Sequence, residues 1–381
     1  MTTDVAVIGA GVFGAWTAWH LRRAGLSVAL YDCYGAANGR ASSGGESRII
    51  RMGYGPREIY TRWSMRSMAL WREWTAGADP GLLQPVGSLW IAMPGDIFAE
   101  ETAGTLARCG VPFDKLMGRD LIARFPQFCF PAEAWCIWEP GAGALMARRS
   151  VQMLVSGMVA AGLRYEQSEI RLEGGEVKTN LGETVSAGQY VFACGPWLPK
   201  IFPDLLKDRI VPSRQEVLFF GTRAGGRHFA PPQMPCWIDI ERRFYGIPDL
   251  ENRGLKLAHD THGPLMDPDT ESRQVTAAGI AIARSYLAER FPLLAGAPLL
   301  EARVCQYENT ANGDYLLDRH PGDERIWLAG GGSGHGFKHG PAVGEYMAGL
   351  LRGAIQPEPR FSLASKPDSG ASTTRSSFYR Q

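Results

Sequence analysis

The chain opens with a short unbroken apolar run, Val5-Ala6-Val7-Ile8, the pattern of a strand buried on both faces. The spacing then changes. Val12, Ala15, Trp16, Trp19 and Leu21 recur near the helical period, which predicts a helix over residues 12–24. Gly25 stands where a helix C-cap glycine belongs, and Leu26–Tyr31 reads as a second strand. Further helical patterns cover Pro56–Thr75 and Arg148–Ala161. Strand-like runs lie at Ser88–Ala92, Tyr190–Ala193, Glu216–Phe220, Leu255–Ala258 and Ile326–Ala329. The run ending in Gly195-Pro196-Trp197 suits a strand that returns to the first sheet after an excursion. From about 213 to 302 aromatic and basic residues are frequent and glycines sit at turns, as antiparallel sheet requires. The segment from Phe361 onward is rich in Ser and Thr and reads as a disordered tail. No internal repeat is visible.

Composition narrows the function classes. Forty basic and thirty-nine acidic side chains leave a charge of +1, so no net field favours nucleic acid or an anionic membrane. No apolar run reaches the ~18 residues of a membrane span. The N-terminus lacks the basic start and apolar stretch of a signal peptide, which predicts a cytoplasmic protein. Seven cysteines without a CxxC pair indicate neither a disulfide framework nor a metal site.

The candidate chemistry begins at Gly9-Ala10-Gly11-Val12-Phe13-Gly14. A bare GxGxxG is weak evidence, but this one lies between a strand and a helix, and a second strand ends in Asp32. Gly9 allows the tight turn, Gly11 lets backbone approach a pyrophosphate, and Gly14 lets helix and strand pack closely. The helix N-terminus offers free N–H groups and partial positive charge to the phosphates. Asp32 would accept from the adenosine ribose hydroxyls. This segment does not distinguish FAD from NAD.

Four later segments add to it: Ala41-Ser-Ser-Gly-Gly-Glu-Ser-Arg48-Ile-Ile-Arg51; Phe244-Tyr245-Gly246 with Gly254-Leu-Lys256-Leu; Val304-Cys305-Gln-Tyr307; and Gly330-Gly-Gly-Ser-Gly334-His335-Gly336-Phe337-Lys338. Together, over residues 4–350, they resemble the monomeric sarcosine oxidase and N-methyltryptophan oxidase family of FAD-dependent amine oxidases. The resemblance implies an α/β plus α+β fold, with a Rossmann-type FAD-binding domain and a mainly antiparallel-sheet substrate domain. The expected FAD domain is discontinuous, 1–82, 143–212 and 303–360; the substrate domain takes 83–142 and 213–302, and 361–381 is the tail.

Carried over by position, Gly9–Gly14 with Val12 and Phe13, and Asp32, match the FAD turn. Ser42, Ser43, Arg48 and Ile49 match the segment along the pyrophosphate and ring. Ile170, Gly195 and Trp197 are further expected cofactor contacts. Cys305 matches the cysteine bonded covalently to the flavin. Lys256 matches the lysine near flavin N5 that promotes oxygen reduction. Arg51 and Lys338 match the cations that grip the substrate carboxylate, and Lys338 is also expected to reach the cofactor. Tyr245 matches an aromatic wall, and His335 is a candidate catalytic residue. Gly332, Gly334 and Gly336 match backbone at the flavin pyrimidine edge. The chemistry agrees with these roles. A flavin takes hydride from the carbon next to nitrogen, which requires a held substrate. Two cations can hold it through a carboxylate, and a buried cation stabilises the charge that develops on oxygen.

The implied activity is therefore oxidation of a small carboxylate-bearing secondary or N-alkyl amine by O2, releasing H2O2, in a monomer without nucleic-acid or membrane partners. Alternatives are a dehydrogenase passing electrons to a quinone or protein, a flavin-binding subunit without turnover, and an NAD enzyme. The match also breaks in places. Gly44 and Asp260 stand where sarcosine oxidases usually carry histidine, and Glu308 where threonine is common. Asp260 and Glu308 are expected near the substrate, where they would favour an extra amino group or several hydroxyls.

Overall fold

The computed structural model describes residues 3–222 and 227–367. Two sheets organise them. In the six-stranded sheet the order is Leu316–Arg319, Ile326–Gly330, Ala187–Phe192, Thr3–Ile8, Val28–Asp32, Arg164–Gln167. All neighbours are parallel except the edge strand Leu316–Arg319. Its central strands are apolar because helices cover them: Val12–Arg23 packs with Gly340–Leu351 and Ala147–Ala160, and Val5, Val7, Leu30 and Val191 share their core. The loops that matter leave the carboxyl ends of Thr3–Ile8, Val28–Asp32, Ala187–Phe192 and Ile326–Gly330.

The eight-stranded sheet runs Leu299–Thr310, Ile210–Phe220, Leu255–His259, Phe244–Ile247, Cys236–Asp239, Ser88–Ala92, Trp135–Glu139, Asp114–Met117. Only the Cys236–Asp239 and Ser88–Ala92 pair is parallel. The buried pair of Asp239 and Arg290, 2.8 Å apart, ties this sheet to the helix Ala277–Arg290, and Tyr286 donates to the same carboxylate. The strands Ile210–Phe220 and Leu299–Thr310 run through residues 212 and 303. These two long strands pair over almost their whole length and carry Cys305 from one sheet toward the other.

The predicted helix at 56–75 forms as Glu58–Ala78, and that at 148–161 as Ala147–Ala160. The C-terminal segment departs from its composition. Phe361 and Leu363 are buried beside the edge strand Leu316–Arg319 of the six-stranded sheet, and the amine of Lys366 donates to the carbonyl of Arg360, so residues 361–367 are packed rather than loose. Phe361 contacts the rings of Trp63 and Tyr315, and this apolar anchoring outweighs the polar composition around it. The remainder of the expected tail, 368–381, lies outside the described residues. No helix among the described residues is long and apolar enough to cross a membrane.

Candidate active site

The first strand ends in the turn that the glycine pattern predicts. Gly9 has φ +105°, and a β carbon there would collide with the carbonyl oxygen of Ala193. One at Gly14 would strike the carbonyl of Gly9, so helix and strand meet without a spacer. Asp32 accepts from the backbone N–H groups of Ala10 (2.7 Å) and Tyr34 (2.9 Å). Burial pushes its carboxyl up while these N–H groups pull it back. Ser43 Oγ accepts from Val12 N–H at 3.0 Å, which lays the serine-rich segment against the helix N-terminus.

A cavity of about 720 Å³ extends from this turn. Of the residues predicted to hold a dinucleotide, its wall includes Gly9, Gly11, Val12, Phe13, Asp32, Ser42, Ser43, Arg48, Ile170, Gly195, Trp197, Cys305, Gly332, Gly334 and Gly336. Gly14 serves packing beneath it. Ile49 and Lys338 line instead a smaller adjoining cavity of about 90 Å³, together with Arg51, Tyr245 and His335. The two cavities share Arg48, Cys305, Tyr307, Gly334 and Phe337 as a common wall.

Two buried cations dominate the smaller cavity. Arg51 lies with its guanidinium 4.3 Å from the Trp90 ring and 4.7 Å from that of Tyr54, and donates to the carbonyl of Gly53. Lys338 donates to the hydroxyl of Tyr54 at 2.6 Å and to the carbonyl of His335 at 3.0 Å. Burial, and then the nearby Arg51 charge, push the Lys338 amine well below its usual range. Burial raises the Tyr245 hydroxyl to about 12 although the Arg48 charge opposes it, so Tyr245 is a neutral wall.

His335 is occupied otherwise. Its Nε2 lies 3.0 Å from the Gly313 carbonyl and must donate, which leaves Nδ1 to accept from the Tyr315 hydroxyl at 2.8 Å. Burial, then Lys338, hold this ring neutral. It lines the smaller cavity, and its backbone carbonyl receives Lys338.

Lys256 lines neither of these cavities. It is buried, its amine donates to the carbonyl of Ser47 at 2.5 Å, and it faces a third cavity of about 270 Å³ with Glu46, Ser47 and Arg253. Burial, then the Arg48 charge, hold its amine well below the usual lysine range. Arg48 is thus the link between Lys256 and the two main cavities; its Nη2 donates to the Ser42 carbonyl at 2.7 Å and lies 3.5 Å from Cys305 Sγ.

Sequence reasoning assigned no role to Tyr54, Tyr307 or Glu139. Tyr54 is the hydroxyl that holds Lys338, and its place three residues after Arg51 is the only signal that could have pointed to it. Glu139 accepts from the N–H groups of Met52 and Gly53 and from Trp90 Nε1, shaping the Arg51 loop from a distant strand with no local signature. Asp260 does line the smaller cavity, accepting from the Tyr307 hydroxyl at 3.2 Å. Glu308 does not. It lines the larger cavity, because it lies beyond Cys305 on a strand that has already turned toward the first sheet.

The sequence pattern described as FAD dependent oxidoreductase matches residues 4–350. The chain belongs to that family. Within this FAD dependent oxidoreductase family it is similar to monomeric sarcosine oxidase of Bacillus sp. (strain B-0618), 28% identical and covering 91% of each chain. It is 27% identical to N-methyl-L-tryptophan oxidase of Yersinia pestis (strain Pestoides F), over 96% of this chain and 99% of that one. Among solved structures, a thermally stable mutant of fructosyl peptide oxidase superposes with a TM-score of 0.82 at 18% identity, covering 95% of this chain and 93% of that one.

The residues present fit FAD. The glycine turn leaves backbone bare where a pyrophosphate approaches, and two buried polar atoms of cavity residues, Ser42 Oγ and Glu308 Oε2, have no hydrogen-bond partner among the described residues. A polar ligand in the larger cavity would supply those partners.

Proposed function

We propose that this protein is an FAD-dependent oxidase of a carboxylate-bearing secondary or N-alkyl amine, such as an N-methyl amino acid, a cyclic imino acid or a glycated amino acid. FAD, when bound, would supply a hydride acceptor for the carbon next to nitrogen and a route for the electrons to O2, with H2O2 as the product. The observation that carries the reading is the pair Arg51 and Lys338, two buried cations in a small cavity that shares a wall with the dinucleotide cavity.

The chain's own residues account for binding and orientation. A substrate carboxylate accepts from Arg51 and Lys338 and restores to Lys338 the charge that burial disfavours. Tyr54 and the His335 carbonyl fix the amine of Lys338, so the carboxylate meets a preorganised site. Tyr245 and Tyr307 wall the cavity and exclude water. Arg48 directs an N–H at the sulfur of Cys305 and so fixes that side chain at the wall where the cofactor would be attached. Lys256, buried beside Arg48, is the candidate cation for the negative charge that develops on oxygen. Asp260 opposes the two cations in the same cavity and favours a substrate with an additional amino group or hydroxyls.

Hydrogen peroxide release in air from a panel of such amines tests the reading. Peroxide with carboxylate-bearing secondary amines and none with their decarboxylated analogues supports it. Flavin reduction without peroxide would instead indicate a dehydrogenase.

A further inference from the structure

Among the acids that line the larger cavity besides Asp32, Glu308 is the buried one, and the glycine motif does not explain it. Glu308 lies three residues beyond Cys305 on the strand Leu299–Thr310, about 10 Å along it at the usual rise per residue. Its side chain is 8% exposed. The N–H groups of Gly332 and Gly331 are directed to its carboxyl, but Oε2 has no hydrogen-bond partner among the described residues. The surrounding backbone is kept bare: a β carbon at Gly332 would lie 3.0 Å from Oε1, and one at Gly330 3.4 Å from Oε2. Among the described residues no cation contributes to the electrostatics of this carboxyl; burial pushes it up to about 7 against the two backbone N–H groups.

An ionised acid in this position would repel a phosphate, since two anions would share one buried site. It needs a donor, and the donors on FAD near its phosphates are the hydroxyls of its two polyol segments. Asp32, at the end of the second strand, is the acid on the adenosine side. Glu308 lies on the other side, between the phosphate turn and the flavin end marked by Cys305. Burial first, then Asp32 and Glu308 together, raise the thiol of Cys194, which places both acids around the end of the strand Ala187–Phe192.

We propose that Glu308 is the acceptor for the ribityl hydroxyls of FAD, the counterpart of Asp32 at the adenosine ribose, and so a positioning residue for the flavin ring. This rests on FAD occupying the larger cavity. It also gives Glu308 a task separate from substrate choice.

The test is a pair of titrations on flavin-free protein, produced under riboflavin limitation in a Cys305→Ala background so that binding is reversible. FAD is titrated by fluorescence quenching and ADP, which has no ribityl chain, by calorimetry. Glu308→Leu is expected to weaken FAD at least tenfold while ADP binds as before, and retained ADP binding shows that the variant is folded. Glu308→Gln, nearly isosteric, is expected to weaken FAD at least threefold, again with ADP unchanged. Asp32→Ala should weaken both ligands. Unchanged FAD affinity in both Glu308 variants, or equal weakening of FAD and ADP, overturns the assignment. Failure of the Cys305→Ala parent to bind FAD at all would remove the cofactor reading beneath it.

Discussion

The guanidinium of Arg48 reaches across the wall shared by the two cavities to Cys305, with Nη2 3.5 Å from Sγ. The same arginine donates to the Ser42 carbonyl, so the serine-rich segment and the flavin-end strand are held together by one side chain. If this contact prepares the sulfur for attachment, wild-type protein denatured and separated from small molecules retains flavin absorbance. Cys305→Ala loses it completely, and Arg48→Met attaches flavin more slowly. Equal attachment rates in Arg48→Met and wild type would leave the contact without a chemical role.

Replacing Lys338 or Arg51 by Met should act on substrate capture. Each removes a charge-assisted hydrogen bond to a carboxylate, about 1.5–3 kcal/mol, or roughly 10- to 100-fold in kcat/KM. The loss is expected mainly in KM, and it should vanish for a substrate analogue without the carboxylate. Steady-state kinetics on both substrates reads this directly.

Lys256→Met should separate the two half-reactions. Flavin bleaching by substrate without oxygen is expected to remain close to wild type, because Lys256 does not line the cavity with Arg51 and Lys338. Reoxidation by O2 should slow by about two orders of magnitude, as expected when a preorganised donor is removed from a water-excluded site. Stopped-flow absorbance distinguishes the steps, and an unimpaired oxidative step contradicts the assignment.

Glu308 makes flavin-free protein sensitive to pH. Its carboxyl is raised from the ordinary 4.5 to about 7 by burial, so the folded chain holds a proton that the unfolded chain releases. The associated stability is complete below pH 4.5 and is lost as pH rises through 7, on the order of 3 kcal/mol. Thermal unfolding of flavin-free wild type should therefore fall over this window relative to Glu308→Gln. Parallel curves for the two proteins would show that burial does not control this group.

The sequence makes some of this legible and hides the rest for physical reasons. The turn Gly9–Gly14 and Asp32 are local, since strand, turn and helix follow one another in the chain and each glycine has a steric cause. Cys305, Arg51 and Lys338 are legible through resemblance, and only folding shows that Arg51 and Lys338 share one cavity. Lys256 looks like an outward residue of an alternating strand, yet it is buried because the Ser47 carbonyl, far away in sequence, receives its amine. The opposite error occurs at Glu308. Its departure from the family pattern points to the substrate cavity, but three residues of strand beyond Cys305 carry it to the larger cavity. Phe361 was read from its Ser/Thr-rich neighbours, and a single aromatic anchor decides its packing.

The central claim is that buried cations present a carboxylate-bearing amine to bound FAD. Its most direct test is anaerobic mixing of the purified holoprotein with N-methyl, cyclic imino and glycated amino acids, each beside its decarboxylated analogue, followed by admission of air. The account predicts loss of the oxidised flavin absorbance only with carboxylate-bearing secondary amines, then recovery of the absorbance with one H2O2 per substrate oxidised. Bleaching that ignores the carboxylate, or no bleaching by any of these amines, would contradict it.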